Sequence, residues 1–548
     1  MIETAYGLNH AFTAPHRIAT KVGSDILDNG GTAIEAMVAA AATIAVVYPH
    51  MNGIGGDGFW LIHKPGSSPI SIAACGRAGS LATPTFYKNH GFNHIPARGP
   101  LAALTVPGTI DGWRLALEQS KQNFSLAELL APAVALAKNG IAVTKNQSVT
   151  TCEKLNTLED VHGFSNIFLS NGRVPQQGER MVQSALGNTL EAIGLYGTNF
   201  FYKGDIAETH ACFLKDQGSP ITLQDIQCQK AEVLKPLSIQ TSSGKLFNLA
   251  PPTQGMSSLG ILGIFDRLNV KQSESFEHIH GLIEATKRAF IIRNAKLGDP
   301  THMEYPPEHY LTDQYLINEA AKIDFSTALS WPYEPKDGDT IWMGATDKGG
   351  ISVSFIQSVF WEFGSGLTCP DTGVFFQNRG AGFSLDPGPN QLAPGKQPFH
   401  TLNPAMALLN DGRVLSYGTM GGEGQPQTQS ALYTRYAQFG SSLQQAITMP
   451  RWLLGKTWGD ATTTLKFEEN FDEKIIKLMR GVGHEVELVP SFSSIMGHAG
   501  AVVRHKNGMV ESANDPRSDG WAYASIISQV SHANLLTKSH GSQYRQVY

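Results

Sequence analysis

The sequence is poor in charge. Charged residues make up 16 % of its 548 residues, against about 25 % in an average soluble protein. The 42 basic and 47 acidic residues nearly cancel, to a formal net charge of −5, and no basic run stands out. Because a phosphate backbone is bound by clustered basic side chains, we expect no nucleic-acid partner.

Cysteines and long hydrophobic runs are also scarce. The five cysteines are widely spaced and form no CxxC pair, which excludes a disulfide framework and a zinc ribbon. The most apolar early stretch, residues 34–48, carries Glu35 and is too short to span a bilayer. The first residues lack the apolar segment and cleavage site of a secretory leader. We therefore expect an intracellular, cytoplasmic protein that does not bind membranes.

The chain is long, and its secondary-structure pattern changes from mostly helical to mostly β-hairpin along its length. With 41 % hydrophobic residues, it is either several domains or one large α/β body with a sizeable core. The first two thirds are mostly helical in pattern. Residues 32–47 predict a helix buried on all sides, and residues 278–296 predict a long amphipathic helix. The last third predicts β-hairpins at the glycine turns 347–350, 410–412 and 507–508. Residues 324–340 are polar and rich in Pro and Gly, which predicts a linker.

Standard cofactor and metal motifs are weak in this chain. Residues 53–58 (GIGGDG) resemble a phosphate-binding loop, but they follow a predicted helix and precede a strand, whereas the dinucleotide motif needs the reverse order. His278 and His280 open a helix, on which they diverge, so they do not form a ligand pair. The sequence contains no G-x-S-x-G elbow, H-E-x-x-H pair or EF-hand loop. We predict no cofactor and no metal.

Thr340 allows two interpretations. It comes directly after the polar linker and directly before a predicted strand. Threonine is a common first residue of a strand, and this feature alone favours that structural role. The alternative is an N-terminal nucleophile, whose own α-amine acts as the general base once the peptide bond before it is cut. The local sequence leaves both interpretations open.

Ordered motifs along nearly the whole chain bear on this choice. They are NGGTAIEA (29–36), PH (49–50), GIGGDGF (53–59), ACGRAG (74–79), TVPGT (105–109), PAVALAKNG (132–140), FYKGDIA (201–207), APPTQG (250–255), IHGLIEATKRAF (279–290), APGKQPFHTLNPAMAL (393–408), GG (421–422), PR (450–451) and DPRSDG (515–520). In this order they resemble the γ-glutamyltransferase family of self-cleaving N-terminal nucleophile hydrolases. The resemblance implies an α/β fold, a four-layer αββα sandwich. It also implies a precursor that is cut between Asp339 and Thr340, into a large fragment (1–339) and a small fragment (340–548).

The resemblance also implies catalytic roles. Thr340 would attack the carbonyl of Asp339 in the precursor and later the substrate amide, while its freed amine moves the proton. Ser358 stands where the family has a second hydroxyl residue that supports this amine. Gly421 and Gly422 stand where the family builds an oxyanion hole from backbone N–H groups.

The departures from the family pattern concern the substrate pocket. The acidic residue that binds the α-amino group of γ-glutamyl substrates is replaced by Gly382, and Arg379 stands three residues earlier. His400 and Thr401 replace a serine pair that helps bind the α-carboxylate, and Phe360 replaces an asparagine. The pocket has therefore lost the partner of an ammonium group and gained a cation. We expect Arg379, His400 and Thr401 to bind a small amide that carries a carboxylate and no free α-amino group.

Arg77 corresponds to the family's carboxylate-binding arginine, with an internal ion pair as the alternative. The FHTLNPAM segment also resembles a branch of the family that hydrolyses oxamate to oxalate and ammonia, so oxamate is the expected substrate. The alternatives are a γ-glutamyltransferase or glutathione hydrolase, a cephalosporin-type acylase, and a catalytically silent binding or scaffold protein. The expected partners are the small amide and the two fragments themselves, and a homodimer of the cleaved heterodimer is left open.

Overall fold

The computed structural model describes residues 2–331, 339–455 and 464–525. Its strands, in chain order, are β1 Ala5–Leu8, β2 Ala11–Ala14, β3 Asp57–His63, β4 Ile70–Ala74, β5 Ile141–Ala142, β6 Arg180–Met181, β7 Glu232–Leu234, β8 Leu237–Gln240, β9 Gly244–Asn248, β10 Asp339–Thr346, β11 Ser352–Phe360, β12 Ala405–Leu409, β13 Val414–Gly418, β14 Trp452–Leu454, β15 Leu465–Glu468, β16 Val486–Val489, β17 Gly500–Arg504, β18 Met509–Asn514 and β19 Trp521–Ala524. Its α-helices are α1 Arg17–Asp28, α2 Ala33–Val47, α3 Pro84–Asn89, α4 Thr109–Leu117, α5 Leu126–Asn139, α6 Lys145–Leu158, α7 Phe164–Phe168, α8 Ser184–Tyr196, α9 Asn199–Lys203, α10 Asp205–Gln217, α11 Leu223–Gln227, α12 Gly255–Asp266, α13 Phe276–Lys296, α14 Asp313–Ala320, α15 Gly424–Tyr433, α16 Leu443–Thr448 and α17 Glu473–Gly481.

Strands from both sides of residues 332–338 build each of the two large sheets. One sheet has the order β1-β18-β17-β13-β12-β9-β8, and the other has the order β19-β2-β10-β11-β3-β4-β7. Neighbouring strands in both sheets pair antiparallel. A cut between Asp339 and Thr340 would therefore leave two fragments that share both sheets, rather than two separate domains.

The two sheets pack face to face and carry helices on their outer faces. Phe59, Trp342 and Ile356 of one sheet meet Phe247 and Met406 of the other in a common core. A second core joins the outer face of the β10–β11 sheet to α2, α4 and α5. A third core joins the outer face of the other sheet to α12, α13 and α15. The layer order is helix, sheet, sheet, helix, so the predicted αββα fold is confirmed.

The elements with the clearest sequence patterns lie close to where they were predicted. Helix α2 is buried at every position, and a capping box between Thr32 and Glu35 starts it. Strands β10–β11, β12–β13 and β17–β18 form the three predicted hairpins. Helix α13 begins at Phe276, two residues earlier than predicted, because Ser275 caps it by accepting a hydrogen bond from the backbone N–H of His278. Among the described residues, no helix combines the length and the apolar character needed to cross a membrane.

Trp342 fixes β10 against the opposite sheet. Its indole Nε1 donates to Ser354 Oγ at 2.9 Å. A Cβ atom added to Gly418 would lie 2.3 Å from this indole, and one added to Gly500 would lie 2.6 Å from it. Glycine is therefore required on both facing strands, β13 and β17. This packing holds the beginning of β10, where Thr340 lies, against the opposite sheet.

Candidate active site

The predicted catalytic residues lie at one end of the inter-sheet space. Thr340, the second residue of β10, is fully buried, and Ser358 near the end of β11 is 1 % exposed. Ser358 is two residues beyond Ile356, which fills the core between the sheets. Because side chains alternate along a strand, Ser358 faces the opposite sheet as well. Asp57 pairs with Ser358 in register and opens β3 at the same end.

The hairpin that contains Thr340 is irregular where the chain is predicted to be cut. Asp339 pairs with Phe360, whereas Ile341 pairs with Gln357, so β11 has one extra residue opposite Thr340. Phe360 has a φ of 83°, a conformation that non-glycine residues rarely adopt. Its backbone N–H donates to Ser358 Oγ at 2.8 Å. A β-bulge interrupts regular strand pairing and redirects side chains, so Ser358 stabilises the irregular backbone opposite Thr340.

The predicted oxyanion glycines follow β13 in the opposite sheet. Gly421 has a φ of 110° and Gly422 a φ of 49°, values that favour glycine. The carbonyl of Gly421 accepts from the N–H of Gly424 at 2.7 Å, just before α15. The carbonyl of Gly422 accepts from the side chain of Gln254 at 2.8 Å. The Gly421 carbonyl shares a peptide plane with the N–H of Gly422, so its contact fixes that predicted oxyanion donor directly. The Gly422 carbonyl belongs to the next peptide plane, between Gly422 and Glu423.

A buried basic cluster includes three of the four predicted substrate-binding residues. Arg379 is 1 % exposed, and its guanidinium lies 3.9 Å from the centre of the Phe360 ring. Its Nη2 donates to Thr401 Oγ1 at 3.4 Å. Its Nη1 has no hydrogen-bond partner among the described residues. His400 is completely buried, and its Nε2 lies 3.1 Å from Asp57 Oδ2 without hydrogen-bond alignment.

Asp57 is a site residue that sequence reasoning missed, although it lies in the GIGGDG motif. Its Oδ1 accepts from the N–H groups of Gly76 and Gly108 at 2.9 and 3.1 Å, and from Gln377 Nε2 at 3.1 Å. A Cβ atom on Gly56 would lie 2.0 Å from the carbonyl oxygen of Ser358. The glycines of this motif therefore allow a close backbone crossing, and its aspartate places a carboxyl group beside His400.

Burial determines the ionisation of the two basic side chains. It lowers the pKa of Arg379 to about 9, against the opposing effect of Asp57. Burial, followed by the cation of Arg379, lowers the pKa of His400 to about 4, while Asp57 acts in the opposite direction. At neutral pH, Arg379 is therefore a cation and His400 is neutral. No carboxylate among the described residues lies within 4.0 Å of the Arg379 guanidinium, so an anionic ligand could still pair with it.

A cleft of about 550 Å³ opens beside this cluster. Phe360, Trp361, Gly382, Phe399 and Thr401 are among the residues that line it. Gly382 therefore borders the same space as Thr401, one of the predicted substrate-binding residues. A Cβ atom added to Gly382 would lie 3.3 Å from the carbonyl oxygen of Phe399. A larger side chain at position 382 is tight there, but the neighbouring backbone needs to move only slightly.

Arg77 does not share the contacts of the buried cluster. Its side chain is 48 % exposed and lies 4.0 Å from Asp299 Oδ2. Its Nη1 donates to the carbonyl of Gly395 at 3.2 Å. The internal ion pair considered for Arg77 is therefore present, though long, and the role of Arg77 in carboxylate binding stays a prediction.

One group of side chains elsewhere has the spacing of metal ligands. His280 and Glu284 on α13 lie beside His484. His280 Nδ1 is 2.9 Å from His484 Nε2, and Lys287 Nζ donates to Glu284 Oε1 at 2.8 Å and contacts His484 Nδ1 at 3.3 Å. Because the ammonium of Lys287 uses lone pairs that a metal would need, we assign no metal to this group.

Comparisons with known proteins agree with this architecture. A family model described as gamma-glutamyltranspeptidase matches residues 19–525. The oxamate amidohydrolase proenzyme of Klebsiella pneumoniae subsp. pneumoniae is 52 % identical over 93 % of this chain and 97 % of that protein. The glutathione hydrolase-like YwrD proenzyme of Bacillus subtilis is 39 % identical over 95 % of this chain and 99 % of that protein. The crystal structure of cephalosporin acylase from Bacillus halodurans superposes with a TM-score of 0.89 at 29 % identity, over 96 % of this chain and 98 % of that one.

Proposed function

The chain belongs to the gamma-glutamyltranspeptidase family, and from that premise we propose that it hydrolyses a small amide that carries a carboxylate, with oxamate as the preferred substrate. Thr340 is the nucleophile, exposed as an N-terminus by a cut after Asp339. The name of the 52 % identical Klebsiella relative supports the choice of oxamate.

The observation that carries the substrate class is the incomplete pairing of Arg379. A buried guanidinium is costly unless each of its N–H groups finds an acceptor. Nη1 lacks one among the described residues, and the neighbouring Thr401 lines the cleft. A substrate carboxylate would accept charge-assisted, bidentate hydrogen bonds from this guanidinium. Oxamate places such a carboxylate directly beside the amide carbon that is attacked.

The reaction then follows from the groups at this end of the sheets. Thr340 Oγ attacks the amide carbon while the α-amine accepts the hydroxyl proton. The N–H groups of Gly421 and Gly422 stabilise the oxyanion of the tetrahedral intermediate. The amine passes the proton to the leaving nitrogen, the C–N bond of the tetrahedral intermediate breaks, and ammonia departs to leave an oxalyl ester on Oγ. Water attacks this ester with the same amine as base, and oxalate leaves as Thr340 regains its proton.

A γ-glutamyl substrate fits this pocket less well. Its α-ammonium would approach the cation of Arg379, and Gly382 provides no carboxylate in compensation. Desolvating an unpaired ammonium costs several kcal/mol, and each 1.4 kcal/mol changes the rate about tenfold. We expect kcat/KM for glutathione to be at least about a hundredfold below that for oxamate.

Self-cleavage is tested on the purified full chain. We expect two fragments on a denaturing gel, and N-terminal sequencing of the smaller one should begin at Thr340. Thr340→Ala should remain a single chain without amidase activity. Thr346→Ala is the matched control, because Thr346 is a buried threonine of the same strand, and it should be cut normally. An active wild-type protein that is uncut, or cut elsewhere, contradicts the assignment of the nucleophile.

The substrate is tested by measuring ammonia release from oxamate beside the hydrolysis of glutathione and a γ-glutamyl anilide. The double variant Arg379→Gln with Gly382→Asp should lose oxamate hydrolysis and gain γ-glutamyl hydrolysis, because it exchanges a cation for a carboxylate. A wild-type protein that prefers glutathione would instead be a glutathione hydrolase. The cytoplasmic location and the homodimer stay predictions.

A further inference from the structure

We propose that Gln254 is a positioning residue for amide hydrolysis. Its side-chain amide ties together two backbone segments, at Thr401 beside Arg379 and at Gly422, a predicted oxyanion glycine. A buried ion pair between Arg293 and Glu423 holds that amide in place. The proposal rests on hydrolysis at Thr340 but does not depend on the identity of the amide substrate.

The side chain of Gln254 is fully buried and saturated with hydrogen bonds. Nε2 donates to the carbonyl of Thr401 at 2.7 Å and to the carbonyl of Gly422 at 2.8 Å. Oε1 accepts from Arg293 Nη1 at 2.9 Å. Both amide hydrogens are therefore used, and the oxygen faces a cation. The reversed amide would set an oxygen against two carbonyls, so these partners determine its orientation.

Arg293, which donates to the side chain of Gln254, also pairs with Glu423, the residue that follows Gly422. Arg293 on α13 is 2 % exposed, lies 3.7 Å from the centre of the Phe290 ring, and donates through Nη2 to Glu423 Oε1 at 2.5 Å. Burial lowers the pKa of Arg293, and Glu423 opposes this effect. The peptide between Gly422 and Glu423 is therefore held through the Gly422 carbonyl and through the side chain of Glu423. This peptide adjoins the one that carries the Gly422 N–H.

Such support matters because the oxyanion donors are on glycines. Gly421 and Gly422 have positive φ values, and glycine has more backbone freedom than any other residue. An oxyanion hole accelerates the reaction only when its N–H groups already point at the position of the oxyanion. Gln254 touches no reacting atom. It acts by restricting the peptide between Gly422 and Glu423, and thereby the backbone of Gly422, whose N–H lies in the adjoining peptide. Losing this restriction should lower kcat more than it raises KM.

The connection also crosses the predicted cleavage point. Gln254 and Arg293 precede residue 339, whereas Thr401, Gly422 and Glu423 follow residue 340. The large fragment would therefore contribute the support and the small fragment the glycines. The two fragments would have to stay associated after cleavage for the site to keep its geometry.

The test compares Gln254→Met with Gln444→Met, using the cleaved enzyme and the amide that wild type hydrolyses fastest. Methionine keeps the length of the side chain and removes its hydrogen bonds. Gln444 is a matched control, because its buried amide donates to the carbonyl of Asn514 and to Thr448, and accepts from the N–H of Asn514. Both variants should show similar losses in unfolding temperature. Gln254→Met alone should lower kcat about 10- to 100-fold, with KM changed less than about threefold.

Three results would overturn the proposal. One is an unchanged kcat in Gln254→Met, the second is a change confined to KM, and the third is an equal loss of kcat in Gln444→Met. If Gln254→Met does not fold, Gln254→Asn provides the same measurement, because its amide is one methylene too short to reach both carbonyls. A wild-type protein that hydrolyses no amide removes the proposed function and this positioning role together. If wild type hydrolyses an amide and only the Gln254 variants lose kcat, the positioning role is supported independently of which amide is the substrate.

Discussion

Two buried arginines of this protein, Arg517 and Arg379, differ in how completely they are paired. Arg517 donates through Nε and Nη2 to Glu468 at 2.8 and 2.5 Å, and through Nη1 to Asp515 at 3.1 Å. Burial acts to lower its pKa, but the carboxylates of Asp515 and Glu468 outweigh burial and raise it. Burial lowers the pKa of Arg379 to about 9 instead, and its Nη1 finds no acceptor among the described residues.

The contrast is between a fully paired buried arginine and one that keeps an unused donor among the described residues. Buried polar atoms in native proteins are almost always hydrogen-bonded, so an exception calls for an explanation. The Arg517 network joins β15 to the segment after β18, where Arg451 also pairs with Asp515. Arg379 contacts Thr401, which lines the cleft, and its Nη1 has no acceptor among the described residues. We therefore expect Arg517 to contribute to stability and Arg379 to contribute to substrate binding.

The largest effect is expected for Arg517, the fully paired arginine of this comparison. Arg517→Met should lower the free energy of unfolding by about 3–5 kcal/mol, because it removes the bidentate ion-pair partner of the buried Glu468 and one of the two arginines that pair with the buried Asp515, the other being Arg451. Thermal unfolding followed by circular dichroism measures the change, and KM for oxamate in the remaining folded protein should equal the wild-type value. If Arg517→Met is as stable as wild type, the complete pairing of Arg517 does not stabilise the protein and the contrast with Arg379 is wrong.

Arg379→Met should show the opposite behaviour. We expect its unfolding temperature to be unchanged or slightly higher, because an incompletely paired buried cation is replaced by an apolar chain. Its kcat/KM for oxamate should fall about a hundredfold, mainly through KM, since truncating one partner of a buried charge pair costs about 2–5 kcal/mol. Steady-state ammonia release measures this loss.

Arg77→Met is the matched variant for this measurement. Arg77 is half exposed, and a charge pair in contact with solvent contributes about 0–1 kcal/mol. If Arg77→Met loses more kcat/KM for oxamate than Arg379→Met does, Arg77 is the carboxylate-binding residue and the role of Arg379 is wrong.

The smallest expected effect is a difference in pH dependence. Arg379 loses its proton as the pH rises through about 9, so its attraction for a carboxylate is present below that pH and fades above it. kcat/KM for oxamate should therefore decline about tenfold per pH unit above 9, whereas the neutral diamide oxamide should show no such decline. His400, with a pKa of about 4, stays neutral between pH 5 and 9 and adds no change there.

Protein stability should not follow this decline. A base whose pKa is lowered by folding imposes a cost on the folded state below that pKa, and the cost is relieved as the pH rises through it. Arg379 therefore contributes no loss of stability above pH 9. Identical pH profiles for oxamate and oxamide would show that Arg379 does not bind the carboxylate.

Much of the fold could be predicted because local patterns reflect local geometry. The apolar run of α2 and the hairpins at the turns 410–412 and 507–508 were predicted from residues adjacent in the chain. The family motifs led to the four-layer sandwich. The interleaving of strands from both sides of residues 332–338 had no local signal. Neither did the extra residue of β11 opposite Thr340, because strand register depends on long-range packing.

The sequence by itself determined which chemical groups are available: a threonine after a linker, a glycine pair, and an arginine three residues before the glycine that replaces an acidic residue. The tertiary structure decided which of them meet. Asp57, Gln254, Arg379 and His400 are far apart in the chain, and their burial and pairing depend on neighbours from different strands and loops. Whether a buried cation is satisfied or still has a donor for a substrate is a property of those neighbours. A local sequence pattern cannot report it, because the pattern records periodicity along the chain and not contacts across it.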